Sequence, residues 1–136
     1  MSDFTAAGAD LLMTWAFTTT AVTRPTTWFV ALHTDDPGVD GSANEVLVAN
    51  DAGYIRKAVT FDDPIDASGV AMALSNAQVS WTVDAGSSGY TVTHASIWDA
   101  ETGGMALMKS ALMVPRTLAA SGVLTFNVGE VVAALD

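Results

Sequence analysis

Five oxygen-bearing side chains stand close together in one short segment and form the densest group of possible metal ligands in the chain. They are Asp35, Asp36, Asp40, Asn44 and Glu45. A hard cation such as Ca²⁺ binds about six to eight oxygens, and an EF-hand loop places them at alternate positions. Here Pro37-Gly38-Val39 interrupts that series. We therefore predict a structured loop in which these side chains cap turns, with no metal site.

The two histidines, His33 and His94, are candidates for acid–base chemistry. A serine beside a histidine can act as a nucleophile with its base. However, Gly86-Ser87-Ser88-Gly89 does not match the G-x-S-x-G turn that presents such a serine. Both histidines fall in predicted strands next to Ser or Thr, where a histidine is more often a hydrogen-bonded structural residue than a base.

Two pairs of carboxylates could hydrolyse a glycan if they faced each other across a cleft. They are Asp62 with Asp63, and Asp99 with Glu101. Both pairs flank predicted turns, where solvated acids are common. The sequence therefore predicts no catalytic residue and no cofactor, and we expect no enzyme.

Aromatic residues offer a third kind of site, because their rings stack on the apolar faces of sugars. Trp81 and Trp98 are in register with other apolar residues of their strands, which predicts burial. Tyr54 and Tyr90 begin predicted strands beside loops, and we expect them to be exposed for contact with a partner.

Composition excludes several classes of partner. The 136 residues suit one domain, 1–136, and half of them are hydrophobic, so the chain is expected to fold. Fifteen acidic against five basic residues give a net charge of −10, which disfavours binding to nucleic acid and to anionic membranes.

No apolar run reaches the roughly 18 residues of a membrane span, and the N-terminus lacks the basic region of a signal peptide. Nothing in the sequence therefore directs the chain to the secretory route.

The spacing of apolar residues predicts one helix followed by strands. Phe4, Gly8, Leu11, Leu12 and Trp15 recur at helical spacing, with Ser2 or Asp3 as the cap and the run Thr18-Thr19-Thr20 as the end. This amphipathic helix, within residues 1–22, is expected to pack on the rest of the chain or to extend from it.

Residues 26–136 show short alternating segments separated by turn residues. This pattern predicts about seven to nine strands in an antiparallel β-sandwich or jelly roll. The predicted strands are Trp28–His33, Tyr54–Phe61, Val70–Leu74, Ala77–Val83, Tyr90–Trp98, Met105–Lys109, Ala111–Val114, Val123–Val128 and Val131–Leu135, with a possible bulge at Gly129.

Four segments of the chain together resemble a recurrent family of small tailed-bacteriophage proteins called tail fibre-like proteins. They are Trp28–Gly38, Asn44–Glu45, Gly53–Phe61 and His94–Gly104. The similarity runs from Leu11-Leu12 to the final strand. It implies a non-enzymatic virion component with a β-sandwich fold, either attached to the tail, as a fibre or tail-tip module, or decorating the capsid. It also implies assembly in the cytoplasm of the host bacterium.

The resemblance also implies partners. We expect contact with a tail or major capsid protein and with further copies of the chain, through Phe4, Leu11, Leu12, Trp15, Tyr54 and Tyr90. The alternative is a receptor-binding or glycan-binding module for the host surface. Within the fold, Arg56 is expected to pair with a loop carboxylate, while Gly53 and Gly103-Gly104 are expected to adopt backbone conformations closed to other residues.

Overall fold

The computed structural model describes residues 3–135 and contains one helix and ten strands. The elements are β1 (Asp3–Phe4), α1 (Ala6–Phe17), β2 (Trp28–His33), β3 (Lys57–Val59), β4 (Ile65–Ala67), β5 (Val70–Leu74), β6 (Val79–Thr82), β7 (Tyr90–Trp98), β8 (Ala106–Leu118), β9 (Val123–Phe126) and β10 (Val132–Leu135). β2, β5 and β7 have the bounds expected from the sequence.

Every strand pair is antiparallel. A five-stranded sheet has the order β1-β8-β7-β2-β3, a three-stranded sheet has the order β10-β5-β4, and β6 pairs with β9. The predicted fold class is confirmed: the protein is mainly β, with antiparallel sheets and one short N-terminal helix.

The main core lies between the five-stranded sheet and the β6-β9 pair. Val30 and Leu32 of β2 belong to the same buried cluster as Trp81 of β6 and Leu124 and Phe126 of β9. The Trp81 and Phe126 rings meet edge to face at 5.7 Å, and Trp81 Nε1 donates a hydrogen bond of 2.9 Å to the carbonyl of Ile55. The predicted burial of Trp81 is confirmed.

A second, smaller cluster takes one residue from each of three strands of the five-stranded sheet. Ala31 of β2, Trp98 of β7 and Ala106 of β8 are buried together. Successive side chains of a strand point to opposite faces, so β2 contributes to both clusters. This arrangement confirms that Trp98 is buried and that β2 is covered on both faces.

The helix begins later than the sequence suggested. Thr5 is its N-cap: Thr5 Oγ1 accepts a hydrogen bond of 3.0 Å from the Gly8 amide and donates one of 2.5 Å to the carbonyl of Ala106. Asp3 is not the cap, because β1 pairs it with Lys109, and Ser2 lies outside the described residues. The end in the threonine run is confirmed, since Thr18 is the C-cap.

Three strand predictions were wrong in extent. Within the predicted strand Tyr54–Phe61, only β3 forms a strand, and Phe61 makes an isolated antiparallel bridge to Ser75. Tyr54 and Arg56 instead place their side chains in a polar cluster that is described below. The predicted strands Met105–Lys109 and Ala111–Val114 are one continuous strand, β8. β4 was not predicted, and its residues are exposed. Gly129 lies in the turn between β9 and β10 with φ +81°.

Candidate functional site

Arg56 and Glu45 form a buried ion pair that joins three separate segments of the chain. Arg56 Nε and Nη2 each donate a hydrogen bond of 2.9 Å to one oxygen of Glu45. Arg56 Nη1 donates to the carbonyls of Ala100 at 3.2 Å and Gly103 at 2.8 Å. The predicted pairing of Arg56 with a loop carboxylate is therefore confirmed.

Two aromatic side chains complete this cluster. The Arg56 guanidinium lies 3.6 Å from the centre of the Trp98 ring. Tyr54 donates a hydrogen bond of 3.0 Å to Glu45 and accepts one of 3.0 Å from the amide of Leu32. Burial alone would raise the pKa of Glu45, but the hydrogen bonds and charge of Arg56 outweigh it, so this pKa lies below its usual value.

The burial of Tyr54 corrects one sequence prediction. Its side chain is only 7% exposed, and burial, together with Glu45, raises its pKa. Tyr54 therefore cannot serve as the exposed contact expected from the sequence. Gly53 was also wrongly assigned, since its φ is not positive, whereas Gly103 and Gly104 have φ of +61° and +72°, as predicted.

His33 and Ser96 make the one contact between histidine and serine side chains that the structure shows in residues 3–135. His33 Nδ1 lies 2.8 Å from the carbonyl of Ala43, so this nitrogen carries the proton. His33 Nε2 therefore accepts a hydrogen bond of 2.7 Å from Ser96, whose oxygen accepts one of 2.7 Å from Trp98 Nε1.

Both members of this pair are closed to solvent. His33 is 0% exposed and Ser96 is 1% exposed, so a substrate has no route to the serine oxygen. Burial lowers the pKa of His33, which keeps the ring neutral and preserves the arrangement of donors and acceptors. The pair holds β2, β7 and the loop after β2 together.

Asp36 and Asp40 in the loop after β2 cap turns, as predicted, whereas Glu45 was wrongly included because its carboxylate binds Arg56 and Tyr54. Asp36 accepts a hydrogen bond of 2.8 Å from the Gly38 amide, and Asp40 accepts one of 3.1 Å from the Ser42 amide. These bonds lower the pKa of both carboxyls. Within the described part of the chain, no three His, Cys, Asp or Glu side chains are grouped to hold a metal ion.

Tyr90 is tied to a buried carboxylate. Its hydroxyl donates a hydrogen bond of 2.8 Å to Asp51, which also accepts from the amides of Gly53 at 3.2 Å and Asp84 at 3.0 Å. Burial is the main cause of a raised pKa for Tyr90, and Asp51 adds to it. Tyr90 is half-buried, so only part of its ring faces solvent.

The four other residues predicted for a partner interface come together in one apolar groove of about 770 Å³. We call it the helix groove. Its lining includes Phe4, Gly8, Leu11, Leu12 and Trp15 at the N-terminal end, Ile97 and Met108 of the five-stranded sheet, Ala71, Ala73, Ala133, Ala134 and Leu135 of the three-stranded sheet, and the charged residues Arg24, Asp62 and Asp63.

The helix approaches β8 closely at Gly8. A Cβ on Gly8 would lie 2.8 Å from the carbonyl carbon of Leu107 and closer still to its oxygen, so only glycine fits there. Beyond this point the helix carries three large exposed side chains: Met13, Trp15 and Phe17 are 55%, 69% and 76% exposed. Asp10 is the sole charged residue of α1, so the helix is less amphipathic than expected.

A bulge in β8 is a second apolar surface, and sequence reasoning missed it. Val92 of β7 pairs with Arg116 of β8, but His94 pairs with Ala111. One residue of β7 therefore opposes the four residues 112–115, which protrude from the sheet. Met113 is fully exposed and Val114 is 66% exposed. The consecutive apolar residues Leu112, Met113 and Val114 were the signal that could have indicated it.

No helix in residues 3–135 combines the length and hydropathy needed to cross a bilayer.

The chain matches the family described as podophage GP4 fiber I protein gp80 over residues 3–134. No curated protein matches it. The match confirms the resemblance to phage tail fibre-like proteins and indicates a structural component of the virion. On this match, the chain belongs to the podophage GP4 fiber I protein gp80 family.

Proposed function

We propose that this protein is a non-enzymatic subunit of a phage tail that attaches to a neighbouring tail protein through the exposed end of α1. The observation that carries the proposal is the exposure of Met13, Trp15 and Phe17 on a helix with a single charged residue. A helix that is apolar on all sides is normally buried.

The exposed end of α1 does little for the stability of the isolated chain. A helix of twelve residues is marginal by itself in water, and only Gly8 of α1 is fully buried. Burying Met13 or Phe17 against a partner stabilises the complex by about 1.5–3 kcal/mol for each side chain. With a net charge of −10, the chain fits a partner that surrounds its apolar surface with basic residues.

The absence of catalysis is part of the proposal. The His33–Ser96 pair is the arrangement nearest to a nucleophile with a base, and both side chains are buried. Membership of a fibre family supports a structural role. A glycan-binding site made from Tyr54 and Tyr90 has less support, because both hydroxyls are engaged by carboxylates of the chain itself.

The test is incorporation of the protein into particles. Particles are grown with the gene deleted and the protein supplied in trans, either as wild type or as the double variant Met13→Ser and Phe17→Ser. Its amount in purified particles is then measured by quantitative mass spectrometry. We expect at least about a tenfold loss for the double variant, since two apolar contacts are removed.

Val123→Ser is the matched control, because Val123 is 58% exposed on β9, away from the helix. It should be incorporated like wild type. Full incorporation of the double variant would contradict attachment through α1. A map of the intact particle adds the location: density for α1 against a tail protein supports the proposal, and density against the capsid replaces it with capsid decoration.

A further inference from the structure

We infer that copies of this chain associate with one another by inserting the β8 bulge, residues 112–115, into the helix groove of a second copy. This inference concerns self-association and does not depend on how the protein attaches to the particle. It uses two surfaces that intrachain packing leaves open, the bulge and the groove.

The bulge exposes two apolar side chains and is anchored to the core by a third. Leu112 packs against the main core, while Met113 and Val114 project into solvent. Pro115 has no amide hydrogen to donate, so the bulge is a poor template for an added β-strand. A partner must therefore bind its side chains rather than its backbone.

The helix groove has matching size and polarity. Its volume of about 770 Å³ lies within the roughly 300–1,000 Å³ of sites that enclose whole ligands, which leaves room for the Met113 and Val114 side chains. Phe4, Ile97 and Met108 contribute apolar surface to it. The residues that project from the bulge are absent from this lining, so a copy does not fill its own groove.

The charges beside the two surfaces are complementary. Arg116 follows the bulge directly, is exposed, and makes no ion pair within residues 3–135. Two exposed acids, Asp62 and Asp63, stand at the groove against one cation, Arg24. Because the chain has only five basic residues and a net charge of −10, most contacts between copies would bring like charges together. Arg116 next to Asp62 and Asp63 is a contact that avoids this repulsion.

Because the bulge and the groove are different surfaces, the contact is heterologous. Each copy inserts its bulge into one neighbour and receives the bulge of another. Such a contact either closes into a ring or continues as a filament, depending on the rotation between neighbours. Two variants that each damage one surface should therefore complement each other. Met113→Ser leaves the groove intact, and Ala71→Trp fills the groove but leaves the bulge intact.

The experiment is sedimentation velocity on the purified full chain over a range of concentrations. We expect wild type to associate, and either single variant to raise the dissociation constant by about tenfold or more. An equimolar mixture of the two variants should form dimers, since one productive contact remains between them. Arg116→Glu should weaken association, and adding Asp63→Arg should restore it.

The controls separate this inference from the attachment of α1. Val123→Ser, and the pair Met13→Ser with Phe17→Ser, alter exposed residues outside the groove lining and should associate like wild type. Circular dichroism confirms that each variant is folded. The inference is overturned if wild type is monomeric at about 1 mM, or if folded Met113→Ser and Ala71→Trp proteins associate like wild type.

Discussion

Replacing Arg56 with methionine tests whether the buried ion pair stabilises the loops around it. The change removes four hydrogen bonds donated by the guanidinium, two of them to Glu45, and the stacking on Trp98 at 3.6 Å. Methionine is unbranched and apolar, so it occupies much of the space without restoring any of these bonds.

The magnitude follows from burial. Removing one partner of a buried ion pair typically destabilises a protein by about 3–5 kcal/mol. The Arg56 side chain is 9% exposed but that of Glu45 is 20% exposed, so water partly solvates the abandoned carboxylate and favours the lower end. We expect a loss of about 3 kcal/mol in the free energy of unfolding. For a chain of this length that corresponds to a fall of about 10 °C in Tm.

The assay is equilibrium unfolding in urea, followed by tryptophan fluorescence. Lys109→Met is the matched control, because it removes the cation of the second ion pair found in residues 3–135, in which Asp36 is largely exposed. Such exposed pairs contribute little, so the control should unfold at almost the wild-type urea concentration. If Arg56→Met unfolds at the same urea concentration as Lys109→Met, the ion pair is not a source of stability and the reasoning fails.

Three further predictions rest on single residues. The folded-state pKa of His33 is lowered, so the unfolded chain binds more protons below the usual value of 6.5. Stability should therefore be full above that pH and fall as the pH drops below it, and urea titrations of His33→Asn should show a weaker decline. Gly8→Ala should lower Tm, because the added methyl group would clash with the backbone of Leu107. Gly53→Ala is the control: its methyl group would clash with nothing and its φ is not positive, so Tm should stay unchanged or rise slightly. Equal Tm values for the two variants would count against the close approach of Gly8 to Leu107. Gly104→Val should lower Tm and particle incorporation, since φ is +72° and the Cβ would lie 2.7 Å from that of Ala100; a wild-type melting curve would contradict this.

Local pattern was sufficient where neighbouring residues decide the structure. β5 and β7 have the predicted bounds, because alternating apolar residues between turn-forming residues specify an extended strand without reference to the rest of the chain. The threonine run ended the helix for an equally local reason, the restricted rotamers of β-branched side chains. Turn chemistry likewise accounts for the carboxylates after β2.

Prediction failed where a distant segment decides the structure. Thr5 became the helix cap through a bond to Ala106, about a hundred residues away, so no nearby residue indicated it. Tyr54 was expected at the surface because it precedes a strand, but Glu45 and the Leu32 amide hold its hydroxyl inside. A hydroxyl of this kind can be buried only where both partners are present, and their positions depend on the fold.

The candidate surfaces divide in the same way. The sequence by itself determined the antiparallel β class, the position of the helix near the N-terminus and the acidic charge, because composition and periodicity carry these properties. The kinship with phage fibre proteins came from the resemblance of four short segments between Trp28 and Gly104. Only the tertiary structure decided that residues from Phe4 to Leu135 line one groove, and that residues 112–115 protrude. The physical reason is that a groove is made by side chains far apart in sequence, and a bulge is defined by the register of a strand against its neighbour.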